Sequence, residues 1–403
     1  SFMITVAHVR EQFLPLSQTF IHQFLRNMRC TRAVAMYAER LNERLFPWDQ
    51  NCPVAYPSKY SAARASTALL RVTGLKSHAN SMTPVYLREL KRLSPDLVHA
   101  HFGAEGVKVM DACSRLKIPL VVSFYGYDLS HLTQFPEWRA AYRQLFQSAA
   151  ALIALSSDFR RRLIDLGCPE EKIRIVHVGV DPKDYPFRPP RTSAQDIRFI
   201  GVARLVEKKG TCYALQALSS LRRRMPDVFY THVGDGELKP EILELAERLD
   251  LQDICRFTGE LSNRDSDREL AASDVFVLPS VRASNGDEEG TPVTILEAMA
   301  GGMPVISTFH SGIPELVEDG VTGFLCRQRD ADGLAGTMER IARERGRWEE
   351  MGRMARRRIE TEYNVRSETA RLESLYCQIA GRGSLIPEAP RVRMEPRQPA
   401  TAI

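Results

Sequence analysis

The sequence predicts an α/β protein built from two doubly wound units, each a parallel sheet wrapped by helices. Three observations predict it. Short β-branched runs alternate with helix-period stretches along nearly the whole chain, which is the signature of parallel sheets. The 403 residues, 44% hydrophobic and 26% charged, exceed what one compact core encloses. Finally, the stretch Pro186-Phe187-Arg188-Pro189-Pro190-Arg191-Thr192-Ser193 is too proline-rich for helix or strand, because proline removes a backbone donor and restrains the residue before it. The linker between the units falls there.

In the first unit the strands are expected at Ile4–Ala7, Ala33–Met36, Leu97–Ala100, Leu120–Ser123, Leu152–Leu155 and Ile173–Val176. In the second they are expected at Ile197–Ile200, Val228–Thr231, Val275–Leu278 and Val305–Ser307, with helices between. From Gly381 onward, Gly-Arg-Gly-Ser followed by four prolines has little to bury and reads as a disordered tail.

Composition narrows the function classes. No apolar run approaches the roughly 18 to 20 residues that span a bilayer as a helix. The eight cysteines are scattered without a C-x-x-C pair, which suits neither a disulfide scaffold nor a zinc knuckle and points to reduced thiols in a cytoplasmic protein. The opening Ser1-Phe2-Met3 runs straight into an apolar strand without the order of an export signal. Charge is uneven: residues 1–190 carry 25 Lys+Arg against 16 Asp+Glu, so a first half at +9 precedes a remainder at −4. An acidic partner or an anionic membrane surface suits that half. The triplets Arg160-Arg161-Arg162 and Arg222-Arg223-Arg224 lie on amphipathic helices and read as solvated faces. Without an aromatic-interleaved basic stripe, nucleic acid is not an expected partner.

Ligands of open parallel sheets bind outside the carboxyl ends of the strands, so the segments that follow strands hold the candidate residues. After Val275–Leu278 comes a stretch in which Thr291 suits an N-cap, Pro292 the first helical position and Gly301 the stop. The start of that helix presents free amides to a phosphate. Glu289 precedes it and Glu297 lies about six residues inside, roughly 9 Å along the axis, so the two carboxylates bracket the phosphate position. Glu297 needs a donor among its apolar neighbours, either ligand hydroxyls or an arginine. After Ile197–Ile200, Arg204 and Lys209 share a short loop and would converge on a diphosphate if it folds back, although cations are common in loops. Gly234-Asp235-Gly236 is a tight turn, and no Gly-x-Gly-x-x-Gly opens either unit, which weakens a dehydrogenase reading.

In the first unit His99 and His101 point to one face of a strand, with His101 at its carboxyl end, and Tyr125-Gly126-Tyr127-Asp128 follows the next strand. A core histidine satisfied by backbone is the plain expectation for His99. Asp265-Ser266-Asp267 looks like a metal pair but starts a helix, where capping is the stronger reading.

Together these segments resemble the retaining glycosyltransferases of family 4, which have the two-domain GT-B fold. The second half carries Arg204-Leu205 with Lys209-Gly210, then Gly234-Asp235-Gly236, then Glu289 and Glu297 as an E-x7-E pair, and Gly312-Ile313-Pro314-Glu315. The first half matches through Leu14-Pro15-Leu16-Ser17-Gln18-Thr19-Phe20, Val98-His99-Ala100-His101-Phe102-Gly103 and Gly126-Tyr127-Asp128. These segments are most similar to the exopolysaccharide branch that includes colanic-acid and amylovoran enzymes.

The resemblance implies two Rossmann-like domains facing across a cleft. An acceptor domain would span 1–187, a nucleotide-sugar domain 188–365, a helix packing back on the first domain 366–380, and a tail 381–403. Arg204 and Lys209 would hold the donor diphosphate, with amides at Gly290 and Thr291 facing phosphate. Glu297 would hold the ribose and Glu289 the sugar, with His101 near the reacting carbon. Relatives often carry histidine where this chain has Tyr125, which draws attention to Asp128 as a further catalytic candidate. The implied reaction moves a hexosyl or N-acetylhexosaminyl group from a UDP-sugar, or a GDP-sugar, to a saccharide or lipid-linked saccharide. It proceeds with retention and without cofactor or metal, at the cytoplasmic face. A nucleotide-sugar binder without transfer activity, or a GT-B epimerase or phosphorylase, are the alternatives.

Overall fold

The computed structural model describes residues 3–15, 18–55, 82–191 and 194–382. Expectations for Ser1-Phe2, Leu16-Ser17, Thr192-Ser193 and the tail beyond Arg382 lie outside the described residues. All ten expected strands form. Chain order gives β1 (Ile4–Val9), β2 (Gln12–Phe13), β3 (Thr31–Tyr37), β4 (Glu39–Arg40), β5 (Asn51–Pro53), β6 (Leu97–His101), β7 (Leu120–Ser123), β8 (Ala151–Ala154) and β9 (Ile173–Ile175). After the linker come β10 (Ile197–Val202), β11 (Val228–Val233), β12 (Cys255–Phe257), β13 (Val275–Val277), β14 (Val305–Thr308) and β15 (Gly323–Cys326).

Two parallel sheets result, a seven-stranded one ordered β5-β3-β1-β6-β7-β8-β9 and a six-stranded one ordered β12-β11-β10-β13-β14-β15, with β2 and β4 pairing separately. The strands that the pattern did not reveal in the main sheets, β5, β12 and β15, are edge strands of three or four residues. Paired on one side only, such strands need neither length nor β-branched content, and Asn51-Cys52-Pro53 has neither.

Strand order reverses between β1 and β6 in the first sheet and between β10 and β13 in the second. At each reversal the flanking crossovers run to opposite sides, which opens a crevice beyond the strand ends. The crevice of the first sheet therefore receives the segments after Val9 and His101, and that of the second receives those after Val202 and Val277.

The chain returns to the first domain through the helix Val365–Ile379. Its Leu372, Leu375, Tyr376 and Cys377 are buried with Ile4, Val6, Leu97, Val121 and Ile153 of the first sheet. Burying each large apolar side chain contributes about 1.5–3 kcal/mol, and a buried carboxylate adds direction. Glu373 Oε1 accepts from Arg29 N (2.9 Å), Cys30 N (2.8 Å) and Thr31 Oγ1 (2.9 Å), so it pins the turn that leads into β3. Glu373→Ala leaves those three donors without their acceptor and is expected to lower stability by about 2–4 kcal/mol, read as a shift in the urea midpoint.

Candidate active site

The two crevices face each other and the loops at their mouths touch. Gly126 (φ 137°) and Gly290 meet there: a Cβ on Gly290 would stand 2.0 Å from Tyr125 O, and one on Gly126 would stand 3.0 Å from Gly290 N. The approach needs glycine on both sides. Around it, Ser130 Oγ accepts from Glu288 N (3.1 Å), and Arg162 Nη2 lies 2.5 Å from Glu288 Oε2. Glu315 accepts from Ser157 N (2.9 Å) and Asp158 N (3.0 Å), placing a carboxylate on the N-terminus of the helix Ser157–Asp165.

Asp128 is buried, and its two oxygens accept from Gly103 N (2.9 Å), Tyr125 N (2.9 Å) and Gly126 N (3.0 Å). Burial raises its pKa while these main-chain bonds pull the other way. With both oxygens occupied by backbone, it anchors the Tyr125–Gly126 loop and the start of the helix Gly103–Leu116.

On the second domain, the loop after β10 folds back, and it brings Arg204 and Lys208 beside Lys209. Lys209 Nζ lies 2.7 Å from Glu289 Oε1, and Lys208 Nζ lies 2.9 Å from Asp287 Oδ2. Burial lowers the pKa of Lys209, and Lys208 and Arg204 add repulsion against the attraction of Glu289. Burial alone would raise the Glu289 carboxyl, but Lys209 and Lys208 outweigh it and hold the group below its ordinary value. Arg204 is exposed.

Sequence reasoning missed His310. Its Nε2 accepts from Glu289 N (3.1 Å), so its proton is on Nδ1, which donates to Gln328 Oε1 (3.1 Å). Ser311 Oγ donates to Glu289 O (2.9 Å). Both residues follow β14, where the rule of strand carboxyl ends would have found them. Arg162 had no such signal. Arg160 and Arg161 pair with Glu170 and Asp158 as solvated-face residues do, whereas Arg162 reaches across the cleft.

Two local expectations need correction. The helix of the second crevice spans Val293–Ala300, and its N-cap is Pro292 (φ −66°, ψ 104°), not Thr291. Proline has no amide to lose at the cap and its fixed φ suits the extended entry, so Thr291 sits outside the helix. Second, Glu297 has no arginine partner among the described residues; Tyr185, just before the linker, donates to its Oε1 (3.1 Å). Glu297 lines a cavity with Tyr185, Arg188, Asp267 and Gly301. The structure thus groups Arg204, Lys209, Glu289 and Gly290, and places Glu297 against the linker. Asp265 belongs to a capping pair: Ser262 Oγ accepts from Asp265 N (3.2 Å) and donates to Asp265 Oδ2 (2.7 Å).

His101 is buried below Tyr125. Its Nδ1 meets Tyr125 Oη (2.8 Å) and its Nε2 meets His8 Nδ1 (3.1 Å). His99 is satisfied by side chains rather than backbone, Nε2 by Ser123 Oγ (2.8 Å) and Nδ1 by Tyr376 Oη (2.5 Å). Burial pushes all three imidazoles well down, so they are neutral. The three lie close enough to share an ion, yet hydrogen bonds take each ring nitrogen except His8 Nε2. A proton on that buried atom would be an orphaned donor. It therefore sits on His8 Nδ1, donated to His101, whose own proton is donated to Tyr125 Oη.

Two facing parallel sheets with a cationic cluster at one switch point have the GT-B architecture. Residues 187–358 match the family described as glycosyl transferases group 1, and residues 57–184 match glycosyltransferase family 4. The chain is 33% identical to the amylovoran biosynthesis glycosyltransferase AmsK of Erwinia amylovora, with 72% of each chain covered. It is 34% identical to WcaL of Escherichia coli, a colanic acid biosynthesis glycosyltransferase by name, over 70% of each. The crystal structure of Anabaena HepE in complex with UDP superimposes with a TM-score of 0.74 at 20% identity, covering 93% of this chain and 100% of that one. This chain belongs to the group 1 glycosyl transferases, with a first domain of the family 4 type. Among the described residues no helix is long and apolar enough to cross a membrane.

Burial raises the Glu297 carboxyl from 4.5 to about 7, against the bond from Tyr185. The folded state then holds this proton more tightly than the unfolded chain does, so stability falls as pH rises from about 4.5 to 7 and stays reduced above that. Glu297→Gln is expected to raise the melting temperature at pH 8 relative to the parent and to leave it unchanged near pH 4.5, measured by calorimetry.

Proposed function

We propose that this protein is a retaining, metal-independent glycosyltransferase of exopolysaccharide biosynthesis. It moves a hexosyl or N-acetylhexosaminyl group from a nucleoside-diphosphate sugar, UDP rather than GDP, to a saccharide or lipid-linked saccharide. The observation that carries the reading is the buried Lys209–Glu289 pair, with Arg204 and Lys208 beside it, at the start of the helix Val293–Ala300. An incoming diphosphate offers Lys209 more negative charge than Glu289 does. It draws Lys209 away and frees the Glu289 carboxylate for sugar hydroxyls. The names of AmsK and WcaL support exopolysaccharide biosynthesis, and the UDP complex of HepE supports a UDP donor.

In the reaction, the acceptor oxygen bonds to the anomeric carbon on the face that the diphosphate leaves. The bond from that carbon to the phosphate oxygen breaks, its electron pair stays on the diphosphate, and the acceptor hydroxyl proton passes to a leaving phosphate oxygen. Arg204, Lys209 and the amides at Gly290 and Thr291 stabilise the departing charge. Closure of the cleft excludes water that would hydrolyse the donor. Asp128 acts by holding the Tyr125–Gly126 loop, and His101 acts through Tyr125 Oη.

One observation favours a second reading. The Tyr125 hydroxyl is engaged with His101 inside the domain, as it would be in a nucleotide-sugar binder without transfer. Incubation with donor and acceptors separates the two: free nucleoside diphosphate with a new glycoside supports transfer, and its absence under every acceptor supports binding alone.

Arg204 gives the cleanest test of the donor site, since removing an exposed side chain leaves no buried charge behind. UDP at about 100 times its dissociation constant is expected to add about 2.7 kcal/mol of stability. Arg204→Ala should abolish most of that shift without moving the melting temperature of the unliganded protein. A full shift in the variant refutes the assignment. The positive first half supports peripheral attachment at an anionic cytoplasmic leaflet; cosedimentation with phosphatidylglycerol vesicles at low salt, lost at high salt, is the expected result.

A further inference from the structure

We infer that Tyr127, His131 and Phe135 form a stacking subsite for the saccharide chain of the acceptor on the first domain's side of the cleft. The inference rests on the reading of the acceptor as a saccharide. Tyr127 opens the helix Tyr127–Ser130, His131 joins it to the turn Leu132–Gln134, and Phe135 precedes the helix Pro136–Ser148, so three successive junctions bring the rings into one row. Their ring centroids are 4.6 Å apart from Tyr127 to His131, with planes inclined by 19°, and 5.3 Å apart from His131 to Phe135, inclined by 66°.

Lone exposed aromatics are ordinary. This row differs because its members support one another and its ends remain open: Tyr127 is 44% and Phe135 40% exposed. Held against His131, Tyr127 loses little freedom when a ligand covers its outer face, which keeps the entropic cost of binding low.

The row is continuous with the cleft. His131 Nδ1 donates to Asn285 O (2.7 Å) and Gln134 Nε2 donates to the same oxygen (2.8 Å), so the rings stand against the Asn285–Asp287 loop of the donor domain. Asp287 is close enough to Tyr127 to help burial raise its phenol, and Lys208 pairs with the same carboxylate.

A pyranose presents C–H groups on its faces and hydroxyls around its rim. The first stack on aromatic rings and the second bond to carboxylates, amides and ammonium groups. Tyr127 backed by His131, with Asp287 and Lys208 alongside, offers both. Because Lys208 and Asp287 neutralise each other at 2.9 Å, the pair adds no net positive charge that would hold an anionic lipid surface, so a sugar fits better than a bilayer.

The test uses the fluorescently labelled full chain on an oligosaccharide microarray, beside Tyr127→Ala, Phe135→Ala and Tyr127→Trp. The parent is expected to retain at least one class of oligosaccharide. Each alanine variant should lose about tenfold in apparent affinity, and tryptophan should restore binding. UDP-induced stabilisation, measured on the same samples, should be unchanged in all four; its loss in the parent would count against the donor site and not against the subsite. The inference is overturned if the parent retains no oligosaccharide or if both alanine variants bind undiminished. Loss of cosedimentation with phosphatidylglycerol vesicles in place of glycan binding would also overturn it.

Discussion

The contact between Gly126 and Gly290 sets the geometry on which the rest depends. Each glycine ends a loop that leaves the carboxyl edge of a parallel sheet, and the backbones approach so closely that a single Cβ would part them. Because both sheets meet through their strand ends, side chains at and just beyond those ends, from His101 and Tyr125 to Lys209 and Glu289, are delivered to one seam. The restraints around it are polar and long-range: Arg162 to Glu288, Ser130 to Glu288 N, and Glu315 to the helix after β8. Apolar packing joins the domains as well, since one buried cluster holds Leu129 and Leu155 of the first together with Ile295, Ile313 and Leu316 of the second.

Electrostatics gives the seam its chemistry. Arg204, Lys208 and Lys209 cluster on one short loop, and Lys209 Nζ lies 2.7 Å from the buried Glu289 carboxylate. Breaking a buried pair without replacement costs several kcal/mol, so in the proposed donor site the diphosphate has to offer Lys209 a better partner than Glu289. His310 holds the backbone of Glu289 from behind with a neutral ring, which fixes the carboxylate without adding a competing positive charge.

The first domain answers with a buried polar core. The row His8, His101, Tyr125 has its proton order set by the unpartnered Nε2 of His8, and His99 links Ser123 to Tyr376 of the returning helix. The helix Val365–Ile379 thereby touches the same strands that end at the cleft, and with Glu373 it ties the packing of the first domain to the segment that leaves the second.

The sequence by itself determined the two doubly wound units, ten of the strands in the two main sheets, the proline-rich break and the loops that hold Arg204, Lys209, Glu289 and Gly290. Those features are local: alternation, helical period and punctuation by proline and glycine act within a few residues, and the rule of strand carboxyl ends turns them into a place for ligands. Only the tertiary structure decided what each polar group meets. Tyr185 reaches Glu297 across 112 residues, Arg162 leaves its charged triplet to cross the cleft, His310 props Glu289, and Asp128 spends its oxygens on backbone amides. Edge strands β5, β12 and β15 were hidden for a different reason: each pairs on one side only, which asks for neither length nor a β-branched run that a pattern along the chain would reveal.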